Sequence, residues 1–91
     1  MYNIDMQYEW DADKNEINMK KHGIDFSDDD LFEWNTALTI LDNRINYGEP
    51  RYIAYGYVNN RLTVMVHTKC GDNVRIISWR KANEREKQHY G

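Results

Sequence analysis

Ninety-one residues are enough for one buried core and too few for a second, so the chain reads as a single domain over residues 1–91. With 41% hydrophobic and 30% charged residues it is neither disordered nor membrane-embedded, and no apolar run approaches the roughly 20 residues of a membrane span. The net charge of −3 argues against a nucleic-acid ligand, yet it hides an asymmetry: residues 1–50 hold twelve Asp/Glu against four Lys/Arg, and residues 51–91 hold eight Lys/Arg against three Asp/Glu.

The first residues, Met1 to Asp5, lack the basic-then-apolar pattern of a secretory leader, which points to a cytoplasmic protein. Gln7 to Trp10 reads as a short strand leading into Asp11, a suitable N-cap. From Ala12, the pattern through Ile17 and Met19 to Lys20, Lys21, His22 and Gly23 predicts a helix with cations in its last turn and glycine beyond it. Ile24 and Phe26 form a connector. Ser27 with Asp30 approximates a capping box, and Leu31, Phe32 and Trp34 supply the apolar side of a short second helix.

The texture then changes to strands. Ala37 to Leu41 is the first of them, closed by Asp42 and Asn43, and a polar loop runs on to Pro50. Arg51 to Val58 and Arg61 to Lys69 are β-rich runs joined by Asn59-Asn60, a good two-residue hairpin turn because asparagine tolerates positive φ. Cys70, the lone cysteine, suits a reducing compartment, and Cys70-Gly71-Asp72 turns the chain into Asn73 to Trp79. A charged, breaker-free tail from Arg80 to Tyr90 predicts a last helix. The fold class is therefore α+β: an antiparallel sheet of about four strands, two N-terminal helices and a C-terminal helix.

Alternation along the strands predicts two faces. Ala54, Gly56, Val58, Leu62, Val64, Val66, Val74, Ile76 and Ser78 form a small aliphatic set suited to lie under helices. The other set, with Arg51, Tyr55, His67, Lys69, Arg75 and Trp79, mixes cations, an imidazole and aromatics. Arg75 interrupts an apolar strand and must reach water, a carboxylate such as Glu49, or a phosphate. His67 is either a hydrogen-bonded strand histidine or a general acid–base group. His22 fits helix capping. The acidic residues Asp28, Asp29 and Asp30 fit a helix start, and no metal-ligand spacing, P-loop or nucleophile elbow is present, so no cofactor is expected.

Tyr8-Glu9-Trp10-Asp11, Lys14, Asn18, Lys21-His22-Gly23-Ile24 and Phe26 resemble the N-terminal signature of the BrnT toxins. The second half is similar too, in Asp42 to Tyr47, Gly48-Glu49, Arg51-Tyr52-Ile53-Ala54, Gly56, and most specifically Arg75-Ile76-Ile77-Ser78 followed by Arg80-Lys81-Ala82, Glu86 and Tyr90. Trp79 departs from the family, which commonly has a small residue there. The resemblance implies a RelE-like fold and a metal-independent ribonuclease that inhibits translation. It also implies neutralisation by a BrnA-like antitoxin, in a heterotetramer with an antitoxin dimer that reaches operator DNA only through the antitoxin. Carried over by position, Arg75, Arg80 and Arg51 become phosphate-binding and transition-state residues. Glu49, His67 and Lys21 become candidates for proton transfer. Tyr55 and Trp79 are aromatics that could hold an unstacked base, and Lys69 and Tyr90 are further candidate RNA contacts. The alternative is a non-catalytic module that pairs with the antitoxin for repression without cutting RNA.

Overall fold

The computed structural model describes residues 7–43 and 48–91. Strand β1 (Gln7–Glu9) leads into helix α1 (Ala12–His22); two short 3-10 turns follow, Phe26–Leu31 and Trp34–Thr36. Strands β2 (Leu38–Asp42), β3 (Arg51–Val58), β4 (Arg61–Cys70) and β5 (Asn73–Lys81) then form a meander, and helix α2 (Glu84–Tyr90) ends the chain. The order across the sheet is β1-β5-β4-β3-β2. The meander is antiparallel as expected, but β1 pairs parallel with β5, so the sheet is mixed and has five strands. Part of the expected loop between Asp42 and Pro50, residues 44–47, lies outside the described residues, as does the N-terminal stretch 1–6.

Helix α1 starts and stops as its caps dictate. Asp11 accepts from the Asp13 and Lys14 amides at 2.8 and 3.3 Å, and Gly23 takes the left-handed conformation (φ 73°) while its N–H closes on the Met19 carbonyl. Its packing is not the apolar stripe the sequence suggests. Ile17 is 63% exposed and Met19 is exposed as well, while the one buried residue of the helix is Asn18. Instead of an α-helix after Ser27, the chain makes 3-10 turns capped by Asp25, whose side chain accepts from the Ser27 amide at 2.9 Å. Phe26 and Phe32 are pinned into the core from either end of the turn.

The core has two layers, one on each side of the sheet. On the inner face, Phe26, Phe32, Ala54, Met65, Val74, Ile76 and Trp79 pack together, with Tyr8, Trp10, Ile24 and Trp34 around them. On the outer face, Leu62, Val64 and Ala82 pack with Ile53, Tyr55, Tyr57 and Tyr90. Gly56 is glycine because a Cβ there would overlap the Phe32 ring. Strand β4 is therefore turned over relative to the alternation expected above. Thr63, Met65 and His67 join Ala54 on the inner face, and Leu62 and Val64 join Tyr55 on the outer one. The cause is the two-residue turn. Asn59 and Asn60 both adopt positive φ, the turn sets Val58 opposite Arg61, and Ala54 thereby meets Met65.

Strand β5 contains a β-bulge. His67 is opposite Ile76 while its neighbour Val66 is opposite Ser78, so Ile77 is an extra residue. Beyond the bulge β5 no longer has β1 beside it, since β1 reaches only as far as Arg75. Asn18 takes over: its Oδ1 accepts from the Trp79 amide at 3.1 Å, and its Nδ2 donates to the Trp79 carbonyl at 2.7 Å and the Ile24 carbonyl at 3.1 Å. Among the described residues no helix is long and apolar enough to cross a membrane.

Asn18→Ala is expected to lower unfolding free energy by about 2–3 kcal/mol in urea titration, because it leaves the buried Trp79 backbone groups unpaired. Ile17→Ala, one position away and exposed, should change stability by no more than about 0.5 kcal/mol.

Candidate functional site

The bulge decides which side chains share a face. Residues five apart on a regular strand point to opposite sides, but Arg75 and Arg80 fall on the same outer face because Ile77 is inserted between them. Arg75 lies opposite Thr68, and Arg80 opposite Val64. Arg51, one step past the Tyr52–His67 pair, comes to the other side of Thr68, so the arginines of β3 and β5 flank one threonine on one face. The same insertion sends Trp79 inward with Ile76.

Arg75 is 52% exposed and holds a single oxygen of Glu9, with Nε at 3.0 Å and Nη2 at 2.7 Å from Oε2; the Asn73 amide donates to the other oxygen at 3.2 Å. Hydrogen bonding to Arg75, then to Asn73, holds the Glu9 carboxyl below its usual range, and Glu9 in turn raises the Arg75 guanidinium. Glu49, Arg51, Arg75 and Glu9 line a cleft of about 280 Å³ with Lys14 and Ile77. Glu49 and Arg51 thus line one cleft with Arg75.

Arg80 forms a fork-to-fork pair with Glu86 of α2, Nη1 to Oε1 at 2.7 Å and Nη2 to Oε2 at 2.8 Å. Glu86 is lowered first by this bond, and Arg80 raised by it. Beside it the rings of Tyr55 and Tyr90 stack at 3.8 Å and 16°. Burial, followed by the hydrogen bond to Tyr90, raises the Tyr55 phenol. Lys21 is exposed in the last turn of α1; its charge and that of Arg80 both act on His22, whose imidazole is lowered first by burial. Lys21 is not among the residues that line the cleft of Glu49, Arg51 and Arg75.

Three expected site residues lie elsewhere. Trp79 is fully buried, its ring against Phe32 and its indole N–H donating to Thr63 Oγ1 at 2.9 Å, so it has no surface to offer a base. His67 is also fully buried on the inner face, stacked on Tyr52 and edge-on to Trp34, which excludes it from proton transfer to an outer-face ligand. Lys69 is exposed but belongs to the inner side, 5.7 Å from the Tyr52 ring centroid. Its cleft there, of about 510 Å³, is shared with Trp34, Thr39 and Leu41 rather than with the arginines. The sequence reading did not single out Glu9 and Glu86 as partners of Arg75 and Arg80. For Glu86 the signal is present, since Asn83 and Glu86 stand at capping-box spacing. Among the described residues no three His, Cys, Asp or Glu side chains gather as a metal-binding group.

A family model described as "Ribonuclease toxin, BrnT, of type II toxin-antitoxin system" matches residues 10–86. Among curated proteins none matches the chain.

His67 and Asp29 make opposite contributions to pH dependence. Burial pushes the His67 imidazole down to about 4, so between that value and the ordinary 6.5 the unfolded chain binds the proton more readily. The stability lost to His67 is therefore recovered as pH rises through this window. Asp29 is pushed up to about 6, first by burial and then by Asp30, so over nearly the same window it favours folding at the lower pH. Urea titrations from pH 4.5 to 7.5 should show the difference between wild type and His67→Gln shifting toward wild type as pH rises, by at most about 3 kcal/mol. For Asp29→Asn the difference should move in the opposite direction.

Proposed function

The chain belongs to the BrnT ribonuclease toxins of type II toxin–antitoxin systems, and on that footing we propose a metal-independent endoribonuclease whose reaction centre is the outer sheet face around Arg51, Arg75 and Arg80. The observation that carries the proposal is the sharing of one face by these arginines, which requires the bulge at Ile77. RNA contains its own nucleophile. A protein needs only to take the 2′ proton, neutralise the phosphorus centre as charge builds on it, and supply a proton to the departing 5′ oxygen.

In this reading Arg51 and Arg75 hold the scissile phosphodiester over Thr68. Arginine suits the task because its planar fork stays charged and meets two phosphate oxygens at once. Arg75 gives Glu9 only its Nε and Nη2 edge, which leaves Nη1 for the phosphate. Glu49, in the same cleft, accepts the 2′ proton. The 2′ oxygen then bonds to phosphorus as the bond to the 5′ oxygen breaks, giving a 2′,3′-cyclic phosphate and a 5′-hydroxyl. Lys14, whose side chain lines the same cleft, is the candidate donor to the leaving oxygen; Lys21 does not line that cleft. Tyr55, on which Tyr90 stacks in the free protein, supplies aromatic surface for an unstacked base.

A type II toxin has an antitoxin as its partner. We assign this role to a BrnA-like protein that binds operator DNA for the complex, forms a heterotetramer as a dimer, and restrains a RelE-like toxin that inhibits translation in the cytoplasm. The exposed acids of α1 and the 3-10 turns, among them Asp13, Glu16, Asp28 and Asp30, offer a basic antitoxin segment a landing surface.

Induced alone in cells, the wild type should arrest growth with RNA fragmentation. Arg75→Ala should cut the cleavage rate by about a hundredfold or more, while its melting behaviour and antitoxin binding stay near wild type, since an exposed ion pair contributes under about 1 kcal/mol. A folded Arg75→Ala protein with full toxicity would remove the core of the proposal, and a wild type that binds its antitoxin tightly without arresting growth would favour the non-catalytic module. Cleavage in vitro should continue in EDTA; strict dependence on a divalent ion would refute the metal-independent mechanism.

A further inference from the structure

Helix α2 is a weakly built element on the outer face. It has seven residues, none of them buried, well short of the roughly 12–15 an isolated helix needs to persist. The chain just before it is anchored, since Ala82 is buried and its N–H donates to the Leu62 carbonyl at 3.0 Å. Beyond that anchor, α2 is fastened to the sheet chiefly by Tyr90, whose ring stacks on Tyr55 at the edge of the Leu62, Val64 and Ala82 cluster, and by the carboxylate of Glu86 on the guanidinium of Arg80. Tyr55 and Arg80 sit on either side of Val64, two strands apart, on the order of 10 Å between their Cα atoms.

That pair of contacts has a particular chemistry. A flat ring lies on Tyr55, and a planar anion engages both terminal amines of Arg80. These are the features of one nucleotide of single-stranded nucleic acid, with its base on an aromatic platform and its phosphate on an arginine fork. We infer that Tyr55 and Arg80 form a nucleotide subsite beside the reaction centre, which α2 occupies in the free protein through Tyr90 and Glu86 and which single-stranded RNA takes by displacing the helix. The inference rests on the ribonuclease reading above and deepens it: α2 is a competitor for the subsite rather than one of its walls, so in the bound state Tyr55 stacks the base and Tyr90 leaves it.

The contacts are geared so that losing one weakens the other. Glu86 Oε1 accepts both from Arg80 Nη1 and from the Asn83 amide at 2.9 Å, while the Asn83 side chain accepts from the Glu86 amide at 2.8 Å. The oxygen that holds Arg80 is therefore also half of the capping box. When a phosphate takes Arg80, Glu86 loses its strongest partner, the helix start loosens, and Tyr90 is released from Tyr55. The hinge falls at Asn83, directly after the anchored Ala82.

The full-length chain should be titrated with a fluorescent, mixed-sequence 2′-O-methyl oligoribonucleotide, which binds without being cleaved, at one fixed salt concentration. Glu86→Gln and Tyr90→Ala should each tighten binding several-fold, and the double variant about tenfold or more. Glu84→Gln removes the same charge from the same helix, where Glu84 pairs with the exposed Lys87, and should change affinity far less. In wild type, the amides of residues 84–90 should lose hydrogen-exchange protection when the oligonucleotide binds. If Glu86→Gln weakens binding relative to Glu84→Gln, or the α2 amides stay protected or gain protection in the complex, α2 builds the subsite and the inference fails while the RNA-binding reading stands. If neither wild type nor any variant binds the oligonucleotide, the ribonuclease reading fails and the inference with it.

Discussion

Between Ile76 and Ser78, β5 carries one residue more than the strand it pairs with. Before that point, even-numbered side chains such as Val74 and Ile76 enter the inner core; after it, the inward residue is Trp79. A tryptophan at this place is held by more than hydrophobic burial, which for a large side chain contributes roughly 1.5–3 kcal/mol. Its indole N–H reaches Thr63 Oγ1, and that hydroxyl in turn donates to the Gly56 carbonyl at 2.8 Å, so a polar chain crosses the inner face from β5 to β3. Closing this chain fixes the register past the bulge, and the register in turn commits Arg80 to the outer face beside Arg75.

The bulge also sets the edge of the sheet. With its second half stepped away from β1, β5 would expose the Trp79 amide and carbonyl to no strand at all. A buried, unpaired backbone group is costly, and a side-chain amide is the one neutral group that both donates and accepts as a peptide does. Asn18 meets this need, which explains why an eleven-residue helix buries an asparagine and leaves an isoleucine and a methionine in water. Helix α1 is consequently docked by the hydrogen-bond geometry of one asparagine more than by apolar area.

Much of this arrangement is legible in the sequence. The caps of α1 announce its ends, and Asn59-Asn60 announces the hairpin. The turn contains more information than its mere presence: a two-residue loop pairs Val58 with Arg61, and simple counting then puts Met65 with Ala54 and His67 with Tyr52. Reading β4 by composition instead places Leu62 and Val64 under the helices, because nothing in the composition says that both faces of this sheet are covered. The bulge is harder to read. The insertion sorts Val74, Ile76 and Trp79 onto one side and Arg75, Ser78 and Arg80 onto the other, but an unbroken period-two reading has no place for the extra Ile77 and so sends Ser78 inward and Trp79 outward. Parallel β1 is equally hidden, since a three-residue strand has too little pattern to declare a partner sixty-odd residues away. The arginines of the face are recognisable from sequence; the reason they share it is not.

The two halves of the chain, one acidic and one basic, are neither separated nor simply mixed. Most acids of the first half remain in the layer of α1 and the 3-10 turns, but Glu9 crosses to meet Arg75, and within the basic half Glu86 meets Arg80. Each of these arginines is thus held straight by a carboxylate whose ionised form it stabilises. That arrangement reduces the entropy an arginine loses on gripping a phosphate, and it also removes most of the positive field that would draw RNA from a distance. Exchange of a carboxylate for a phosphodiester is close to neutral in charge, so a face built this way gains little of the counterion release that drives binding to bare lysine-rich surfaces. Discrimination must then come from what a carboxylate does not have: a base to stack, a 2′-hydroxyl to ionise, and a phosphorus centre that grows more anionic as it reacts. On the proposed reading, a face whose arginines are paired at rest would grip a phosphodiester only where these further features repay the carboxylate it displaces, as a nuclease that must not bind every passing polyanion requires.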